Sequence, residues 1–224
     1  MTASIPRLPL RDDLFLLGHD DDTGHPHVHR QTLALGLAGA VLIDLYLAGR
    51  VNLDPNDDTR PASHQRIHPH IDRPVGDLIA DAATATIRHT HPPLRGWLRG
   101  FSDDLYDRTR AGLVASGILR HHTRRRLGGL IRADIYLPTD TRWAVVARSR
   151  LRYLATGREQ PTNHSAALAG LVADLGFTHH LYLDDTATLA ARLKAIAGQH
   201  YQPVRDITAA VDAAIGDLAT AAYR

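Results

Sequence analysis

The chain has 224 residues, no cysteine and a formal net charge of +2. This length suits one domain, or two small ones, and it is enough to bury a hydrophobic core without disulfides. The absence of cysteine excludes disulfides and thiolate metal sites, and we expect a reducing compartment. The first residues carry no apolar run of the secretory type, so we expect no signal peptide.

Charge is distributed unevenly along the chain. Lys194 is the only lysine and Glu159 the only glutamate, so arginine and aspartate dominate, as is typical of a GC-rich genome. Residues 120–158 nevertheless contain ten arginines and two aspartates, a local charge of +8. This basic segment indicates a polyanionic partner, either an anionic membrane or a nucleic acid, or else a solvated helix face with an arginine-rich loop.

The N-terminal half alternates apolar and polar segments. Residues 8–18 predict a short helix, and residues 31–49 predict a helix that is apolar on all sides and leads into a short strand. Residues 55–73 are polar and contain several prolines, which predicts a mobile loop. Beyond Pro74 the hydrophobic periodicity predicts further amphipathic helices.

The second half combines a hairpin with more helices. Residues 119–138 predict a β-hairpin with two arms around Gly128 and Gly129. The last third predicts helices again, the final one beginning at Pro203. We therefore expect a mainly α protein with residues 1–224 forming a single globular domain. In it, amphipathic helices surround a buried central apolar helix, with a few short strands and the hairpin.

The apolar run from Leu33 to Leu47 raises the question of a membrane span. A spanning helix needs about 20 apolar residues, whereas this run has only 15 and includes Asp44. A carboxylate at the centre of a bilayer is costly. The run therefore predicts a central core helix, in which Gly36 and Gly39 let neighbouring helices approach closely.

The chain contains none of the common catalytic motifs, since a P-loop, HExxH and GxSxG are all missing. The alternating His25, His27 and His29 would suit a metal ion if they lay on a strand. Similar patterns at 68–70 and 89–91 favour a polar loop in a histidine-rich chain. We expect no catalytic residue, no metal and no cofactor.

The basic hairpin is compatible with two functions. In a winged-helix nucleic-acid binder, the arginine-rich turn would contact phosphates. In a membrane-surface protein, Arg124, Arg125 and Arg126 would contact anionic headgroups while apolar side chains enter the interface. Those side chains are Leu127, Leu130 and Ile131. A third interpretation packs the hairpin on its own domain or on a second subunit.

Five blocks of sequence resemble the Golgi phosphoprotein 3-like domain in order and spacing. LPLRDDLFLLGHDDDTG (8–24) and LALGLAGAVLIDLYLAGRVNLD (33–54) are similar to its leucine-rich start, its acidic turn and its long apolar helix, which closes on a Leu-x-Gly-Arg motif. PVGDLIADA (74–82), HPPLRGWL (91–98) and RTRAGLVASGIL (108–119) are similar to its Pro-x-Gly-Asp, Pro-Pro and pre-hairpin segments. The resemblance covers most of the chain to about residue 140.

The resemblance implies a mostly helical domain around a buried helix, with no enzymatic activity. It implies a peripheral membrane protein that binds phosphatidylinositol 4-phosphate on a basic face and holds the tails of membrane proteins, with a hairpin that takes part in membrane contact and self-association. The composition is similar to that of a bacterial relative. We therefore expect a cytoplasmic protein at the inner face of the membrane, and nucleic-acid binding stays the alternative.

The headgroup residues of the eukaryotic pattern are mostly replaced here. Its Trp before the central helix is His29, its Arg within that helix is Ala38, and two Arg before the hairpin are Asp103 and Tyr106. Only the next Arg is matched, by Arg108. A phosphate dianion needs fixed guanidinium donors, so we expect a different anionic site. Its candidate residues are His29, Arg30, Arg108, Arg110, Arg124, Arg125 and Arg126.

Overall fold

Helices make up most of the fold. The computed structural model describes residues 7–54, 65–71, 73–126, 131–181, 186–199 and 201–221. In these ranges the helices are α1 Leu10–Leu17, α2 Arg30–Leu47, α3 Leu78–Thr90, α4 Leu94–Ser102, α5 Leu105–Ala115, α6 Arg142–Ala155, α7 Asn163–Asp174, α8 Thr178–Leu181, α9 Thr186–Gln199 and α10 Gln202–Ala221. Two antiparallel pairs of strands accompany them, β1 Val51–Leu53 with β2 Ile67–Pro69 and β3 Leu119–Arg126 with β4 Ile131–Pro138. The predicted mainly α class is confirmed.

The apolar run forms the central helix α2. Helices α1, α3, α4, α5, α7 and α10 all pack against it. Among the described helices, α2 has the length and apolar composition to cross a membrane, and 67% of it is buried within the protein. A helix surrounded by other helices has to be apolar on all sides. The predicted role as a core helix is therefore confirmed.

Two glycines allow neighbouring elements to approach α2 closely. A Cβ atom at Gly36 would lie 2.6 Å from Cδ1 of Leu175, just after α7. A Cβ atom at Gly39 would lie 2.5 Å from Cγ2 of Val211, on α10. Both distances are far below van der Waals contact, so the predicted close approach is confirmed.

We expect Gly39→Ala to destabilise the protein by about 1–2 kcal/mol, because the added methyl group overpacks the contact with α10. Gly112 on α5 is the matched control, since a Cβ atom there meets nothing within 4 Å. Gly112→Ala should stabilise the protein by about 0.5–1 kcal/mol through helix propensity alone. Urea denaturation of both variants measures the two effects, and a shift of the same sign in both would contradict the close packing.

Asp44, the one carboxylate in α2, caps another helix. Its Oδ2 accepts a 2.8 Å hydrogen bond from the backbone N–H of Leu10, where α1 begins. The residue before α1 is Pro9, which provides no side-chain cap. Burial raises the pKa of Asp44 to about 6. Asp44, whose charge is unfavourable in a membrane span, therefore attaches α1 to α2. The N–H groups in the first turn of a helix need an acceptor from outside the helix, and Asp44 supplies one.

A buried charge network joins α1 to the start of α3. The two terminal nitrogens of Arg11 each donate a 3.0 Å hydrogen bond to one oxygen of Asp77, and its Nε donates to Asp12 at 2.8 Å. The side chains of Arg11 and Asp12 are only 7% and 12% exposed. Asp77 also accepts from the N–H groups of Ile79 and Ala80, so it caps α3. The network thus fixes the starts of both helices.

Asp13 on α1 gives folding stability a pH dependence. Burial raises the pKa of its carboxyl from 3.8 to about 7, against the smaller opposing effects of Arg150 and Arg7 and with added repulsion from Asp12 and Asp44. Because the folded state holds this proton more tightly than the unfolded state, the stability contributed by the protonated acid is lost as the pH rises from 3.8 to about 7.

We expect Asp13→Asn to raise the melting temperature, because it removes the cost of ionising a buried acid. The gain in melting temperature should grow as the pH rises from 3.8, the pKa of Asp13 in the unfolded chain, to about 7, its pKa in the folded protein. Above about 7 the gain should become constant. Thermal melts of both proteins across this pH range measure it. A gain that does not depend on pH would show that Asp13 does not titrate in the folded protein.

The prediction of a loop over residues 55–73 is wrong for its second part. Residues Ile67–Pro69 form β2, whose Ile67 pairs with Leu53 and is completely buried. The backbone N–H of Ile67 also donates to the carbonyl of Pro92 at 3.0 Å. The strand is fixed by these distant partners. Its residues alternate between apolar and polar from Ile67 to Ile71, but Pro69 within this run argues against a strand from the sequence alone. Residues 55–64 and residue 72 lie outside the described ranges.

The predicted hairpin is confirmed. Strands β3 and β4 pair in a continuous antiparallel register from Leu119 opposite Pro138 to Arg126 opposite Ile131. The base of the hairpin is held by Thr139, whose N–H donates to the carbonyl of Ile118 at 2.9 Å. The hairpin follows directly from α5, so the basic strand β3 lies beside the helix that carries Arg108 and Arg110.

Candidate functional site

A surface pocket lies where the first turn of α2 meets the corner between α4 and α5. Its volume is about 250 Å³, which is small for a ligand site and suits a single polar headgroup. Its charged lining residues are exposed, whereas Ala34 and Leu35 are buried. We call this cavity the Arg30 pocket; it is lined by Arg30, Gln31, Ala34, Leu35, Arg99, Ser102, Asp103, Tyr106, Asp107 and Leu218.

Arg30 supplies a fixed positive charge at this pocket. It is the first residue of α2, after His29, whose Nδ1 accepts a 3.3 Å hydrogen bond from the backbone N–H of Gln31. The guanidinium carbon of Arg30 lies 4.9 Å from the centre of the Tyr106 ring, a cation–π contact. Within the described residues Arg30 forms no ion pair with a carboxylate. Its charge is therefore available to a ligand, next to the positive end of a long helix.

Tyr106 is a rigid platform beneath Arg30. Nδ1 of His19 lies 2.6 Å from the carbonyl oxygen of Phe15, so this nitrogen carries the proton and donates. Nε2 of His19 then accepts from the Tyr106 hydroxyl at 2.7 Å. Burial lowers the pKa of His19 to about 4, which keeps the ring neutral. The buried pair therefore holds the Tyr106 ring in one position under the guanidinium.

Arg110 lies on the hairpin side of the same tyrosine. Its guanidinium carbon is 4.5 Å from the centre of the Tyr136 ring on β4 and 5.8 Å from that of Tyr106. Its Nη2 also pairs with Asp107 at 2.7 Å. Arg110 therefore connects the pocket to the hairpin, although much of its charge is already compensated.

A second, smaller cavity of about 140 Å³ lies between Arg30 and the hairpin. Arg110 and Ile135 are among its lining residues. The turn at Gly24 closes this cavity. Gly24 has a φ of +66°, and a Cβ atom at this position would lie only 2.5 Å from the carbonyl oxygen of Tyr136. The Arg30 pocket and the base of the hairpin therefore belong to one continuous face.

The remaining predicted site residues within the described ranges lie on α5 and on the two strands of the hairpin. Arg108 lines neither of these two cavities; it pairs with Asp104 at 3.4 Å and lies over the Phe101 ring at 5.7 Å. Arg124, Arg125 and Arg126 are part of β3 and Ile131 is the first residue of β4. Leu127 and Leu130 lie outside the described residues. Arg30 and Arg110 are thus the predicted residues that the fold brings together.

The histidine-rich segment forms a turn and not a strand that aligns its side chains. His27 stacks on His180 with ring centres 4.4 Å apart, while His29 caps α2. Among the described residues, no group of three or more His, Asp or Glu side chains is arranged to hold a metal ion.

Sequence reasoning missed most of the residues that shape the pocket. Tyr106 and Asp103 were noted only as replacements of arginines in the family pattern. Gln31 and Arg99 carry no signal in the sequence. The spacing of four residues between Tyr106 and Arg110 places both on one face of α5, and this was the available signal.

The fold and the pocket together define a helical domain with an arginine-bearing surface pocket next to a basic β-hairpin. The chain belongs to the Golgi phosphoprotein 3 (GPP34) family, whose model matches residues 10–218. This match confirms the resemblance and extends it over nearly the whole chain. At the level of the family, membership supports a lipid-binding or adaptor role in association with membranes.

Proposed function

We propose that this protein is a non-catalytic peripheral membrane protein that binds anionic lipid headgroups through the Arg30 pocket and the basic hairpin. The observation that supports the proposal best is the uncompensated guanidinium of Arg30, held over Tyr106 at the mouth of the pocket. A guanidinium held in place loses little freedom when it binds phosphate, and such charge-assisted hydrogen bonds are strong.

The hairpin adds long-range attraction in this proposal. Arg124, Arg125 and Arg126 are consecutive in β3, and each arginine near an anionic surface contributes about 1 kcal/mol. Leu127, Leu130 and Ile131 would enter the interface next to them. The protein would act at the cytoplasmic face of the membrane as an adaptor for the tails of membrane proteins, with self-association through the hairpin.

Co-sedimentation with vesicles at low salt tests this function. We expect binding to vesicles that contain phosphatidylglycerol and none to pure phosphatidylcholine vesicles, because the attraction is electrostatic. Arg30→Ser should weaken binding about tenfold, the value of one charge-assisted hydrogen bond. Arg192→Ser is the matched control, since it removes an equal charge from an exposed position on α9 and should change binding little.

A DNA shift assay run beside the vesicles addresses nucleic-acid binding, the alternative function. Salt dependence alone does not separate the two, because phosphate contacts with DNA weaken with salt in the same way. Tight binding to DNA together with no binding to anionic vesicles would overturn the proposal. Equal losses from Arg30→Ser and Arg192→Ser would show that the pocket is not the site.

A further inference from the structure

The charges around the Arg30 pocket point to a more specific ligand. We propose that the pocket takes a phosphodiester headgroup with one negative charge and free hydroxyl groups, of the glycerol or inositol type, in preference to a phosphomonoester. This inference rests on the proposed function, because it concerns the same pocket facing the same membrane.

Several charged side chains at the pocket already have partners. Arg99 shares the carboxylate of Asp217 with Arg95, which lies one turn earlier on α4. Arg110 pairs with Asp107 at 2.7 Å. Arg95, Arg99 and Asp217 together therefore carry a net charge of +1, whereas the pair of Arg110 and Asp107 is neutral.

Arg30 and Asp103 complete the charge balance. Neither side chain has an oppositely charged partner within the described part of the chain, and both line the pocket. Together with the paired groups, they give the surroundings of the pocket a formal charge of +1. A phosphodiester matches this balance with its single charge. A phosphomonoester group carries roughly 1.5 to 2 negative charges at neutral pH, and its excess would be uncompensated.

The hydrogen-bonding capacity of the pocket favours hydroxyl groups. Asp103 follows the last residue of α4 and is exposed, with a carboxylate that accepts hydrogen bonds and donates none. The side chain of Gln31 both donates and accepts. Hydroxyl groups satisfy both residues, because each donates one hydrogen bond and accepts others. A second phosphate would instead place its oxygens against the carboxylate of Asp103.

Three sets of vesicles with matched total surface charge test this preference; their charged lipid is phosphatidylinositol, phosphatidylglycerol or phosphatidylinositol 4-phosphate. A fourth set, without net charge, contains phosphatidylethanolamine. We expect the wild-type protein to bind the first two more tightly than the third, and not to bind the fourth. Equal binding to all three anionic sets, or preference for the 4-phosphate or for phosphatidylethanolamine, would overturn the inference. Failure to bind any anionic vesicle would overturn the proposed function itself.

Two variants of Asp103 make the test specific. Asp103→Arg should shift the preference towards phosphatidylinositol 4-phosphate by about tenfold, because it replaces repulsion by attraction. Asp103→Asn keeps the shape and removes the charge, so a smaller shift in the same direction is expected. Thermal melts verify folding, which these exposed substitutions should preserve. An unchanged preference in Asp103→Arg would overturn the inference.

A soluble headgroup distinguishes a lipid from a free metabolite as the source of the ligand. Glycerophosphoinositol should compete with phosphatidylinositol vesicles for the wild-type protein, and should compete less well for Arg30→Ser. Binding of the soluble compound as tightly as the vesicles would contradict a lipid ligand. Absence of competition at any concentration would contradict occupancy of the pocket.

Discussion

Replacing Arg11 by methionine should destabilise the protein by about 3–5 kcal/mol, the usual cost of removing one partner from a buried ion pair. Methionine keeps the length and the apolar stem of the side chain but leaves Asp12 buried without its cation. The bidentate bond to Asp77 is lost as well, so α1 and α3 lose the link between their starts. Urea denaturation followed by circular dichroism measures the change.

Two further variants separate charge from packing in this network. Arg192→Met on the exposed face of α9 is the matched control and should change stability by less than about 0.5 kcal/mol. In Arg11→Met combined with Asp12→Asn, part of the stability should return, because the unpaired charge is gone. A loss below about 1 kcal/mol in Arg11→Met would contradict the buried network.

The second large effect concerns the hairpin. Changing Arg124, Arg125 and Arg126 together to serine should weaken binding to anionic vesicles by about a hundredfold, since three arginines contribute about 1 kcal/mol each. Vesicle co-sedimentation at low salt measures it, and the salt dependence of the remaining binding should become shallower. Binding that stays within about threefold of the wild type would remove the hairpin from the proposed site.

The sequence predicted those parts of the fold that depend on local patterns. The run from Leu33 to Leu47 is apolar at every turn, so its burial could be predicted without knowledge of its neighbours. The hairpin likewise follows from a glycine pair between two short arms, the second of which contains strand-like Ile and Tyr residues. The function of Asp44 could not be predicted, because its partner is the N–H of Leu10 on another helix.

The pocket and β2 depend on contacts between residues far apart in sequence. Ile67 is a strand residue because it pairs with Leu53 and because the backbone of Pro92 accepts its N–H. The Tyr106 platform needs His19, which lies 87 positions away. Candidate arginines could be named from the family pattern, but which of them have carboxylate partners becomes visible only in the folded chain. Arg108 pairs with Asp104 and Arg110 with Asp107, whereas Arg30 has no carboxylate partner among the described residues.

Hydrogen–deuterium exchange with and without anionic vesicles tests most directly whether the face formed by the Arg30 pocket and the hairpin binds the membrane. We predict slower exchange at the first turn of α2, at residues 102–110 and along β3, because these segments carry the pocket and the hairpin. Exchange on α9 should be unchanged, since it lies outside the proposed face. Protection elsewhere, with α2 and residues 102–110 unchanged, would contradict the proposal that the Arg30 pocket and the hairpin form the membrane-binding surface.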